Sequence, residues 1–283
     1  MRNTIVAALL LVILVLPCSS AQAYEPMGAD GEWDFVVTPY IWLPARSDIT
    51  STIGALPPVE MELTFKDVIE NFDVFALSMR FEAWKGKLGL IFDGYYMKLN
   101  TSRSVVLSSP GPIPITLSLD VDKVDVQQAI FDFAAAYRVL EKPLRKGSDF
   151  PVLYFDPFLG VRVNYLKQEV TGRAELSGRE ILNGTIGDEK TWPELMFGGR
   201  FTLQVLEKLS FAVRGSVSGF GIGEGSDLQW DFLGGADYRP WRVASFKAGY
   251  RIYQIDYMTG SDFDTFGYDA TQHGPLLGVS FYF

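Results

Sequence analysis

The sequence predicts an all-β fold, a closed antiparallel transmembrane β-barrel of about ten strands. Three observations lead there. Period-two alternation recurs from residue 33 to the C-terminus, and one side of each alternating segment is apolar while the other carries charge. The chain holds 21 Phe, 13 Tyr and 6 Trp, yet after its leader it has no apolar run of the roughly 18 residues that a spanning helix needs. A soluble ligand-binding barrel has an apolar interior and a polar exterior. Here the charged face cannot be a hydrophobic core, so the apolar face must meet lipid.

Residues 1–23 read as a cleavable signal peptide. Arg2 supplies the positive end, Ile5 to Leu16 the apolar run, and Ala21-Gln22-Ala23 the small-x-small cleavage pattern. Lipoprotein processing at Cys18 is disfavoured by Pro17, where such signals place Gly or Ala. Removal of the leader takes away the single cysteine, which excludes disulfides, zinc–thiolate sites and cysteine nucleophiles. It also takes away Arg2, moving the net charge from −9 to −10 and disfavouring nucleic acid as a partner. Residues 24–283 are then expected to form one barrel domain.

The predicted strands follow in order. The first (33–43) places Trp33, Phe35, Val37, Ile41 and Leu43 opposite Asp34, Thr38 and Tyr40. The second (75–85) sets Phe75, Leu77, Met79 and Phe81 against Ser78, Arg80 and Glu82, and the third (88–98) sets Leu88, Leu90, Phe92 and Tyr96 against Asp93. The fourth (127–139) has Gln128, Asp132 and Arg138 on its polar face, the fifth (152–166) has Asp156, Arg162 and Asn164, and the sixth (193–205) has Glu194, Arg200 and Gln204. The seventh (211–218) contributes Arg214 and Ser216, the eighth (228–239) Asp231, Asp237 and Arg239, and the ninth (246–253) Lys247 and Arg251. The tenth is the closing LLGVSFYF.

Connections alternate in length. Segments 85–87, 141–151, 206–210 and 239–245 are tight, whereas 44–74, 99–126, 167–192, 219–227 and 254–273 are mostly long. All the short ones therefore fall on one edge. Within 44–74 the alternation of DITSTIG and VEMELTF predicts a small hairpin and KDVIENF (66–72) a short helix near the outer mouth, or else these stretches only extend strands one and two beyond the bilayer. Aromatic girdles are expected from Trp33, Trp84, Tyr137, Tyr238 and Trp241 toward the turns, and from Trp42, Tyr96, Tyr165, Trp192 and Tyr257 toward the loops.

The signal peptide and the tail ending in Phe281 and Phe283 resemble those of Gram-negative outer-membrane β-barrel proteins, porin-like in pattern. The resemblance implies short periplasmic turns, long extracellular loops and location in the cell outer membrane. It also implies that Phe281 and Phe283 serve as the signal read by the barrel-assembly machinery, with outer-membrane lipid and lipopolysaccharide as the other partners. It brings no activity, because function resides in sites rather than folds.

Candidate functional residues are the twelve charges assigned to the lumen: Arg80, Glu82, Asp93, Asp132, Arg138, Asp156, Arg162, Glu194, Arg200, Arg214, Asp231 and Arg251. Arginines and carboxylates are nearly balanced. In a ten-stranded barrel they are close enough to pair, leaving a largely filled lumen with at most a narrow water path. A narrow pore or small-solute uptake protein is the first reading. A closed barrel for envelope integrity, adhesion or partner binding is the second, and a rim enzyme acting on lipid or peptide the third. The lone histidine, His273, lies in DATQHG with Asp269 and Thr271. Barrel proteases and lipid-modifying barrel enzymes are similar in placing His with Asp or Ser near the outer rim, but no triad is completed here and the expectation is a non-enzyme. Asp262 and Asp264 are spaced like the start of a calcium loop that Phe266 interrupts, and GFGIGEG (219–225) precedes no helix, so no metal or cofactor is expected.

Overall fold

The computed structural model describes residues 27–29, 31–54, 58–66, 73–101, 105–108, 117–176, 179–223 and 225–283. The predicted leader lies outside them, as does all but Lys66 of the helix expected at 66–72. The strands are β1 (Asp34–Trp42), β2 (Arg46–Ile53), β3 (Val59–Thr64), β4 (Asp73–Lys85), β5 (Leu88–Thr101), β6 (Val105–Ser108) and β7 (Leu117–Tyr137), then β8 (Leu140–Pro143), β9 (Val152–Leu176), β10 (Arg179–Leu206), β11 (Leu209–Gly219), β12 (Leu228–Trp241), β13 (Ala244–Thr259) and β14 (Phe266–Tyr282). Ten of them, β1-β4-β5-β7-β9-β10-β11-β12-β13-β14, form an antiparallel ring that closes when β14 pairs with β1.

Closure is where the terminal strand acquires its partners. Phe283 donates its N–H to the Phe35 carbonyl at 2.9 Å and accepts the Phe35 N–H at 3.1 Å, while β13 pairs along the opposite edge of β14. Leu277 and Phe283 face outward and are strongly exposed. The upper half of β14 pairs instead with β2, and β3 extends that hairpin. Between β1 and β2 the chain keeps its direction along β14 but slips register by one residue, from Trp42 opposite Leu276 to Arg46 opposite His273. The slip is made against Gly274, where a Cβ would stand 2.0 Å from the Leu43 carbonyl oxygen and 2.6 Å from the Ala45 nitrogen.

The connections expected at 99–126 and 167–192 are largely strand. A transmembrane strand needs about 9–11 residues, so β9 with 25 and β10 with 28 run well past the lipid as a continuous hairpin, with β7 paired alongside up to Leu117. The physical reason for the difference is plain. The apolar alternation that marks a strand in the sequence stops where lipid stops, whereas backbone pairing continues through Lys167, Glu169, Asp188 and Lys190.

The outer wall between the turns and these extensions is apolar, with Leu77, Phe133, Leu159, Leu195, Phe201 and Phe232 among its exposed side chains. Short turns at 86–87, 207–208 and 242–243 lie on the same edge as Phe283. The girdle differs from expectation in part. Trp33, Tyr137 and Tyr238 are exposed on the outer wall, but Trp84 is buried inside the barrel, and Trp42, Trp192 and Tyr257 are buried in the interior cluster of the lumen. Pleat parity decides this: Trp42 shares the face of Thr38 and Tyr40, whatever its nearness to a strand end.

Gly274→Val forces the β1–β2 junction away from β14. We expect it to lower the unfolding free energy in urea by about 1–3 kcal/mol, read from refolded protein in lipid vesicles. An unchanged midpoint would show that the junction is not held as described.

Candidate functional site: the charged lumen

All twelve predicted lumen charges point inward, and the ladder explains why. Arg80 is opposite Asp93, Asp93 opposite Asp132, Asp132 opposite Arg162, and Arg162 opposite Glu194 across five neighbouring strands. Arg80 and Arg200 are partly accessible; the other ten are buried.

Eleven of the twelve form one connected chain. Arg138 donates to Asp156 at 3.1 Å, and Asp156 also accepts from Arg200 at 3.1 Å. Arg200 reaches Glu82 at 2.9 and 3.0 Å, and Glu82 accepts from Arg80 at 2.7 Å and from the Trp84 indole at 2.9 Å. Arg80 continues to Asp93 at 2.8 Å, where Arg214 and the Tyr40 hydroxyl also donate, at 2.8 and 2.6 Å. Arg214 then bridges to Asp231, which a two-pronged Arg251 holds at 3.0 and 2.8 Å. Arg162 clamps Asp132 at 2.6 and 2.8 Å and approaches Asp231 at 3.9 Å. Paired geometry of this kind is what lets buried charges persist, since an unpaired one costs several kcal/mol. Glu194 stands apart and accepts from the Trp192 indole and the Ser226 amide, both at 2.7 Å.

On the extracellular side of this layer the lumen is filled by amides and then by rings. Asn164 and Gln229 exchange amide hydrogen bonds at 3.0 and 3.1 Å, and Gln229 donates to the Tyr253 hydroxyl at 2.7 Å. Beyond them Trp42, Tyr95, Tyr253, Tyr257, Phe266 and Trp192 pack in one cluster. Trp192 stacks on Tyr257 with ring centres 3.7 Å apart, and the Arg251 guanidinium lies 4.6 Å from the centre of the Trp42 ring. Among the described residues the Trp42 indole N–H and the Tyr268 hydroxyl are buried here without a hydrogen-bond partner, a cost that the surrounding ring contacts must offset. The sequence reading missed Trp42, Trp192 and Tyr257 as lumen residues; the signal that finds them is shared parity with the charged positions.

On the periplasmic side the same charge layer is the ceiling of a cavity of about 190 Å³. Its wall includes Trp84, Tyr154, Lys247, Asp237 and Tyr282, all close to the short turns. The segment at Met27 and Gly28 crosses this end. The Gly28 carbonyl accepts the Gly86 N–H at 2.9 Å, and Gly28, with φ +77°, lies so close to Gly86 that a Cβ would stand 2.8 Å from its backbone.

His273 is elsewhere. It sits on the outward face of β14 with Nδ1 2.5 Å from the Tyr250 hydroxyl, and Asp269 and Thr271 share that outward face. Among the described residues no group of three or more His, Cys, Asp or Glu side chains is placed to hold a metal ion.

A closed ring with an apolar outer wall, a charged interior and short turns on one edge defines a class: this is a β-barrel of the outer-membrane type, resident in the cell outer membrane. No protein-family model matches the chain, and no curated protein matches it. Among solved structures, the outer membrane protease OmpT from Escherichia coli is similar with a TM-score of 0.56 at 10% identity, over 89% of this chain and 97% of that one. Ail of Yersinia pestis, solved with the heparin analogue sucrose octasulfate, reaches 0.33 at 9% identity over 89% and 98%. A Pseudomonas aeruginosa FadL homologue reaches 0.26 at 11% identity over 89% and 90%. Only the first likeness is close enough to bear on fold, and it bears on fold alone.

Asp132→Asn leaves the Arg162 guanidinium buried without its counter-charge and is expected to destabilise the refolded barrel by about 3–5 kcal/mol. Replacing both residues by Leu is expected to recover most of that loss. Urea unfolding of the two variants in vesicles checks the coupling, and equal losses in single and double variants would refute it.

Proposed function

We propose that this protein is a closed, non-conducting barrel that presents the long β7–β9–β10 extension at the cell surface for adhesion or partner binding. The observation that carries the reading is the plug: Trp42, Trp192, Tyr253 and Phe266, each at most 2% exposed, fill the extracellular half of the lumen above a continuous ion-pair layer. A solute path would have to break both. The extension supports the second half of the proposal, because β9 and β10 continue far beyond the length that crossing the lipid requires. The narrow-pore reading has one observation in its favour, the cavity on the periplasmic side, and it requires the plug to move.

Planar-bilayer recording tests this directly. Wild-type protein is expected to be silent, while Trp42→Ala combined with Tyr253→Ala is expected to open a small steady conductance. Steady unitary steps from the wild type would overturn the closed-barrel reading. Excision of the hairpin tip, residues 169–187, is expected to leave the heat-modifiable folded band on a gel intact while abolishing attachment of expressing cells to a host-cell layer.

A further inference from the structure

We infer that the periplasm-facing cavity is a binding site for a small organic monoanion, a carboxylate carried on a compact apolar body. The charge of the wall selects the anion. Five arginines of the network and Lys247 border the cavity, against the four carboxylates Glu82, Asp93, Asp156 and Asp237. Asp231, behind Arg214 and Arg251, adds a fifth negative charge at hydrogen-bond distance. One positive charge is left in excess across this wall, whose open end carries the partly exposed Lys247. Glu194 does not offset it, because it lies on the far side of the network against Trp192 and Ser226. A single negative charge completes the balance, which favours a monoanion over a phosphate or sulfate dianion.

The rest of the wall selects the body. Val36, Ala212, Ala236, Ala248 and Leu276 are apolar, and the fully buried Trp84 backs Arg138 and Arg200, whose guanidinium carbons lie 4.7 and 5.5 Å from its ring centre. A cavity of about 150 Å³ is enough to hold benzene, so about 190 Å³ admits a six-membered ring with a carboxylate. Access is from the periplasm. Lys247, Asp237 and Arg200 keep 29%, 22% and 19% of their side-chain surface exposed, whereas the plug closes the other direction. Met27 borders the same end, its carbonyl accepting from Arg138 at 3.4 Å.

Calorimetric titration of the refolded protein in detergent micelles, blanked against empty micelles, tests the site. Cyclohexanecarboxylate is expected to bind saturably at millimolar concentration, and the neutral cyclohexanemethanol is expected to give no heat beyond the blank. Lys247→Gln removes the one excess charge from a partly exposed position that the fold tolerates, and is expected to weaken binding roughly two- to five-fold; Lys247→Glu should abolish it. Equal binding of acid and alcohol, no binding of the acid, or full binding in Lys247→Glu would each overturn the proposal. Retention of the heat-modifiable band shows that the variants are folded. The inference does not rest on the closed-barrel reading, since a conducting wild type could fail that one and still bind the acid.

Discussion

In hydrocarbon a backbone amide has no water to bond, so every N–H and C=O of the spanning segments must find another strand. The pairing of Phe283 with Phe35 at the β1–β14 seam satisfies that requirement for the last free edges of the ring. Everything else depends on it. Once the ring is closed, pleat parity sends alternate side chains to lipid and to lumen, and the same residues that would make an exposed terminal strand an aggregation hazard become part of a continuous wall.

Inside the ring, ten strands leave a space that side chains can fill, and the contents are ordered by height. Charges lie in a band where the ladder brings Arg80, Asp93, Asp132, Arg162 and Glu194 into one row, rings lie on the extracellular side, and the cavity lies on the periplasmic side. A buried ion-pair network is weak evidence for stability, because desolvation offsets the attraction. Its effect here is one of register. Shifting any strand by one residue would turn its charges out to lipid and its lipid-facing aromatics inward, so the network and the apolar wall penalise the same error.

The ion pairs also join the two ends of the lumen. Arg251 touches the plug through Trp42 and holds Asp231, while Arg138 and Arg200 at the other end of the chain flank Trp84 in the cavity wall. His273, the residue that chemistry alone would single out, is outside this system. It bonds Tyr250 on the outer wall, an arrangement that suits an amphipathic pair near the membrane surface.

The sequence alone determined the strand period, the even count, the short-turn edge and which face of each predicted strand carries charge, because period-two alternation with grease opposite charge has only one placement in a bilayer. Arg162 facing inward was legible for that reason. What only the tertiary structure decided is who meets whom. That Arg200 would meet its ladder partner Asp156 follows from the β9–β10 register, and that it would also reach Glu82, 118 positions away, follows from barrel curvature and strand stagger, none of which a local pattern encodes. The reach of β9 and β10 beyond the lipid was likewise hidden, since pairing there rests on backbone hydrogen bonds and leaves no apolar alternation. Trp42 and Trp192 looked like interface rings until parity put them inside. The balance between a filled extracellular half and an open periplasmic half belongs to packing in three dimensions, where the volumes of side chains from ten separated segments add up in one enclosed space.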